Sequence, residues 1–123
     1  MMTAFIIVVI HFIADFIFQA EEWAVNKSKS NLALLKHVSM YTIIWSMFGI
    51  FIFSDPFKYI IFLAVTFAAH FTTDYFTSRV VSKKFANNEY GSPIPNFGAF
   101  TIIGFDQVLH YGQLFLTYQL LTN

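Results

Sequence analysis

Four apolar stretches divide this chain of 123 residues, each near or above the ~18 residues that a helix needs to cross a bilayer. They run approximately from Thr3 to Ala20, Leu32 to Ser54, Phe57 to Ser82 and Phe97 to Leu121. Only 11% of the residues are charged, where a typical soluble domain has roughly a quarter, so too little charge is present to coat a water-facing surface. The pattern predicts one all-α domain over residues 1–123, an integral membrane four-helix bundle. A formal net charge of zero leaves no broad footprint for nucleic acid. The absence of cysteine excludes a disulfide framework, an iron–sulfur centre and a thiolate zinc site.

The connections set the expected orientation. Residues 21–31 read as a polar interfacial loop, with Trp23 where an aromatic belt would place it. Ser54, Asp55 and Pro56 read as a tight turn, with Pro56 suited to the start of the next helix. Residues 83–96 contain Gly91, Pro93 and Pro95 and cannot be helical throughout. With alternating helices, one side of the bundle carries Lys27, Lys29, Lys36, Arg79, Lys83 and Lys84, and the other only Lys58. The positive-inside rule then places both termini outside and loops 21–31 and 83–96 in the cytoplasm. No basic residue precedes Phe5 and no small-residue cleavage site follows Phe18, so a cleaved signal peptide is not expected.

All four histidines, His11, His37, His70 and His110, fall inside these stretches. Three aspartates join them at a spacing of four, as His11 with Asp15, His70 with Asp74, and Asp106 with His110. Chance would supply about 0.3 such pairs. A spacing of four puts both side chains on one helix face, roughly 6 Å apart along the axis. The order reverses on the last helix, which runs in the opposite direction, so like residues meet at like depth. The expectation is a layer of Asp15, Asp74 and Asp106 with His11, His70 and His110 one turn nearer the outside. His37 approaches the carboxylates from the remaining helix.

Four imidazoles and three carboxylates converging in a bundle core are a metal-ligand set. They suit a divalent transition metal such as zinc, manganese or iron better than calcium or magnesium. Seven candidate ligands exceed what one catalytic zinc uses, so one or two ions are expected, with surplus groups serving as base or support. Asp15, Asp74 and Asp106 are the candidate catalytic carboxylates. Gln19 and Gln107 are candidates for hydrogen bonds to ligating groups. Lys27, Lys29, Arg79, Lys83 and Lys84 set topology or attract an anionic lipid head group. Tyr41, Trp45 and Phe48 read as packing or lipid contact. The leading expectation is a metal-dependent hydrolase acting on a lipid phosphoester or a membrane-embedded substrate. A proton or divalent-metal transporter using the same cluster is the first alternative. Polar packing between helices is the plainest reading of any single His/Asp pair. Oligomeric state is not legible.

The run His11-Phe-Ile-Ala-Asp15-Phe16-Ile-Phe-Gln19, the Asn26-Lys27-Ser28 segment, His37, His70-Phe-Thr-Thr-Asp74 and Phe105-Asp106-Gln107-Val-Leu-His110 together resemble a family of small multi-pass membrane proteins. That family occurs in bacteria and their phages and is catalogued as a domain of unknown function. The resemblance spans nearly the whole chain and implies location in the bacterial inner (cytoplasmic) membrane, with no activity attached. It adds a third functional expectation, a non-catalytic phage membrane factor that binds a host membrane protein.

Overall fold

The computed structural model describes residues 1–91 and 97–123. Its regular structure is helical, with no strand among the described residues. Helix α1 (Met2–Phe12) runs directly into a π-helical turn (Ile13–Ile17), followed by a short α2 (Glu21–Asn26). Helix α3 (Asn31–Phe48) tightens into a 3-10 turn (Gly49–Ile52), and α4 (Pro56–Ala86) and α5 (Ala99–Thr122) complete the chain. The starts of α3 and α4 are capped by side chains. Ser30 Oγ accepts from Ala33 N at 3.3 Å, and Asp55 Oδ1 accepts from Phe57 N at 2.8 Å, with Pro56 in the first helical position.

Three boundaries differ from the sequence expectation. The first helix does not continue to Ala20, because Phe18 N bonds to Ile13 O at 3.0 Å, a wider turn that ends the helix. Residues 21–26 then form α2, where a loop was expected. Its first turn holds Glu21 and Glu22, which complement the positive end of the helix dipole, and it contains no helix breaker. Helix α4 runs four residues beyond Ser82 and takes in Lys83 and Lys84. Of the glycine- and proline-containing connection, Asn88 and Gly91 have positive φ, whereas Pro93 and Pro95 lie outside the described residues. Ala99 N bonds to Glu89 O at 2.7 Å and Phe100 N to Tyr90 O at 3.2 Å, which ties the start of α5 to the end of α4. A Cβ on Gly98 would come within 2.3 Å of Gly91 N, so this approach requires glycine at 98.

Helix α1 packs on α3 and α5, α3 on α4, and α4 on α5. Along their length the interior divides into two zones. One end is an apolar plug built from Ile7, Ile10, Ile44, Trp45, Phe62 and Leu114, flanked by Phe53 and Tyr118. The other end is polar, with His11, Asp15, His37, Thr66, His70, Asp74, Asp106 and His110 all buried. Outward faces are apolar, with Phe5, Phe12, Ile43, Met47, Ile60, Phe76, Val108 and Leu116 among the exposed side chains. Two segments, Asn31–Ile52 and Pro56–Ala86, are long and apolar enough to cross a membrane. Met2–Ile17 is apolar but shorter, and α5 carries Asp106, Gln107, His110, Gln113 and Gln119, which dilute its hydropathy.

Phe62 is fully buried against Trp45 and Phe53, so Phe62→Ala should lower unfolding free energy by about 3 kcal/mol in detergent. The outward-facing Phe57→Ala should change it by under about 0.5 kcal/mol. Equal losses in denaturant titrations would contradict the plug.

Candidate metal centre

The spacing of four puts the two members of each His/Asp pair one above the other, and packing brings the pairs from α1, α4 and α5 together. His70 and His110 stack with ring centroids 4.1 Å apart, and His11 lies 5.5 Å from His110. His37 of α3 completes the group, its ring 5.3 Å from that of His70. The π turn begins two residues after His11 and contains Asp15, so the helix is widened where this carboxylate enters the cluster.

Four atoms from three helical segments, the π turn, α3 and α4, converge on one point. His37 Nε2 lies 3.1 Å from Asp15 Oδ1, 3.2 Å from Asp74 Oδ2 and 3.2 Å from His70 Nε2. His70 Nε2 lies 3.5 Å from each of the same two carboxylate oxygens. A tetrahedral ion with ligands at about 2.0 to 2.1 Å has ligand–ligand edges of about 3.3 Å. The five separations bracket that edge. Asp15 Oδ1 is buried and receives no hydrogen bond, although two imidazoles face it. A lone pair buried in this way is costly unless a cation or donor meets it, and the donor set fits a divalent transition ion. The cluster could hold a metal ion.

The remaining carboxylate is linked to the same group. His110 Nε2 is 3.1 Å from Asp74 Oδ1 and 3.2 Å from Asp106 Oδ2. Thr77 Oγ1 donates to Asp106 Oδ1 at 2.5 Å, and Gln107 Nε2 donates to Asp106 Oδ2 at 3.1 Å and to Asp15 Oδ2 at 3.4 Å. Gln107 therefore braces two carboxylates, while its Oε1 accepts from His11 Nε2 at 2.8 Å. His11 Nδ1 in turn accepts from the Tyr41 hydroxyl at 2.8 Å, so both ring nitrogens of His11 are occupied. His11, expected as a ligand, supports Gln107 and lies outside both groups of converging ligand atoms. Gln19 was expected to hydrogen-bond a ligating group, yet its Oε1 is buried without a partner among the described residues.

The basic residues separate by contact. Lys27 Nζ donates to Asp74 Oδ2 at 2.8 Å, reaching into the cluster from the end of α2. Burial alone would lower the Lys27 pKa, but the Asp74 and Asp15 carboxylates outweigh it and raise the value above that of an ordinary lysine. Lys29 lines the adjoining cavity. Arg79 is engaged by Tyr75 O at 2.6 Å and Asn31 Oδ1 at 2.8 Å, and Lys84 by Glu89 at 2.9 Å. Lys83 lies in the last turn of α4.

The cavity has a volume of about 500 Å³ and its floor is formed by Asp15, Asp74 and Asp106. Gln19, Lys27, Thr77 and Ser78 add polar groups, whereas Phe16, Val25, Val81, Phe85 and Ile103 form apolar walls. It lies at the α2 end of the helices, opposite the plug.

Three contributors were missed or misread from sequence. Tyr41 follows His37 by four residues and so shares its face, a signal that was present and was read as packing. It stacks on His70 with centroids 3.8 Å apart. Thr77, three residues after Asp74, carried a similar signal. Lys27 carried none, because its reach depends on how α2 docks.

Neither the curated proteins nor the solved structures give a match to this chain. Over residues 3–123 it matches the family described as "Protein of unknown function (DUF3307)". A small all-helical chain with a buried His/Asp cluster of metal-binding composition thus belongs to the DUF3307 family.

Proposed function

We propose that this protein is an integral membrane four-helix bundle that holds a divalent transition ion and hydrolyses a lipid phosphoester. The observation that carries the reading is the convergence of Asp15 Oδ1, His37 Nε2, His70 Nε2 and Asp74 Oδ2 at tetrahedral-edge separations, with Asp15 and Asp74 lining a cavity that has apolar walls. Polar side chains inside and apolar side chains outside suit a chain surrounded by lipid. The concentration of lysine and arginine at the cavity end supports a cytoplasmic location for that end under the positive-inside rule.

In this reading Asp15, His37, His70 and Asp74 hold the ion, and His11, Tyr41 and Gln107 fix the orientation of their neighbours. A bound divalent ion supplies a lowered pKa for water and polarises a phosphoryl oxygen. Lys27, held by Asp74, presents a permanent positive charge to an anionic head group, and Lys29 adds a second at the cavity. Apolar walls accept the first methylenes of an acyl chain, which places the ester at the polar floor. The apolar plug speaks against transport, because a path through the chain would have to pass Trp45 and Phe62, both fully buried.

Detergent-purified protein loaded with zinc or manganese and then dialysed should retain at least one ion per chain by elemental analysis. His37→Ala should lose most of it, and a chain that retains none would contradict the reading. Hydrolysis of short-chain phosphatidic acid in mixed micelles should fall at least about 100-fold in Asp74→Asn. The chain has no cysteine, so single introduced cysteines report topology without background. A thiol at Lys29 should react with an impermeant maleimide only in inverted vesicles, and one at Asn123 only in intact cells.

A further inference from the structure

The Asp74 carboxylate faces two ligand groups. Its Oδ2 belongs to the set with Asp15, His37 and His70, while its Oδ1 lies 3.1 Å from His110 Nε2, which is 3.2 Å from Asp106 Oδ2. Asp74, Asp106 and His110 are all buried and form a second convergent group of ligand atoms. We propose that the centre is dinuclear, with Asp74 bridging one ion held by Asp15, His37 and His70 and a second held by Asp106 and His110. The proposal rests on the metal reading above and deepens it.

Three features of the cluster and its cavity support it. One bridging carboxylate with an oxygen directed at each group is how paired sites hold ions about 3.5 to 4 Å apart, the spacing used to clamp both oxygens of a phosphoryl displacement. Asp15, Asp74 and Asp106 all line the cavity, so both ions face the same space. Ser78 Oγ and Gln19 Oε1 are buried at that cavity without a hydrogen-bond partner among the described residues, which leaves polar capacity for a ligand.

The cavity carries three carboxylates, Asp15, Asp74 and Asp106, and two ammonium groups, Lys27 and Lys29. Each divalent ion bound beside them adds two positive charges, so a second ion strengthens the attraction of the cavity for an anionic phosphoester.

The test is manganese stoichiometry together with electron paramagnetic resonance of the intact protein in detergent. Wild type should bind two ions per chain and show the broadened, exchange-coupled signal of a close pair. His110→Ala and Asp106→Asn should each retain one ion and show the six-line signal of isolated manganese, and Asp74→Ala should lose both. One ion per chain in wild type, with an isolated six-line signal unchanged by His110→Ala, overturns the dinuclear proposal and leaves the metal reading intact. No bound manganese or zinc overturns both. The wild-type spectrum needs no variant, so a misfolded substitution cannot decide the outcome.

Discussion

Three carboxylates buried between helices whose outer faces are apolar are the constraint on which the rest of this structure depends. An isolated buried carboxylate costs several kcal/mol even after relaxation. Each one here is met by something specific. Asp15 faces His37 and His70, Asp74 faces Lys27, His37, His70 and His110, and Asp106 takes hydrogen bonds from Thr77 and Gln107. These contacts join α1, α3, α4 and α5, so the polar cluster ties the four helices together at one depth. The outward apolar surfaces, being interchangeable, cannot set that depth.

The two zones of the interior follow from the same requirement. Strong electrostatics need a low-dielectric surrounding, and the plug of Trp45, Phe62 and Leu114 closes one end of the cluster. Function needs access, which the cavity beside α2 supplies at the other end. The π turn at Ile13–Ile17 joins the two, since it carries Asp15 into the cluster and ends α1 soon enough for α2 to bring Lys27 back over the carboxylates. Lys27 shares Asp74 Oδ2 with the converging ligand atoms, so a cation bound among them would have the end of α2 as its neighbour.

Much of this was legible before the fold was known, for one physical reason. A helical period of 3.6 makes a spacing of four a statement about faces, and reversal of Asp106 and His110 on an opposed helix makes it a statement about depth. The approach of His37 followed from the same geometry, and Gln107, a candidate for hydrogen bonds to ligating groups, donates to Asp15 and Asp106. Features that depend on a departure from the regular helix were not legible. Ile13-Ala-Asp-Phe-Ile contains no proline or glycine to announce a π turn, and the polar Glu21-to-Asn31 run looks like a loop even though its first six residues form helix. His11 shows the remaining limit, because a ligand-type residue becomes a supporting one when Tyr41 and Gln107 occupy both its nitrogens. Spacing assigns a face but not the partner at each atom.

The central claim is that these imidazoles and carboxylates are the inner coordination sphere of a transition ion. X-ray absorption at the zinc edge of the loaded, detergent-purified protein tests it most directly. The account predicts a nitrogen and oxygen shell at about 2.0 to 2.1 Å with imidazole multiple scattering and no sulfur. An oxygen-only shell without imidazole scattering, or no retained zinc, would contradict it.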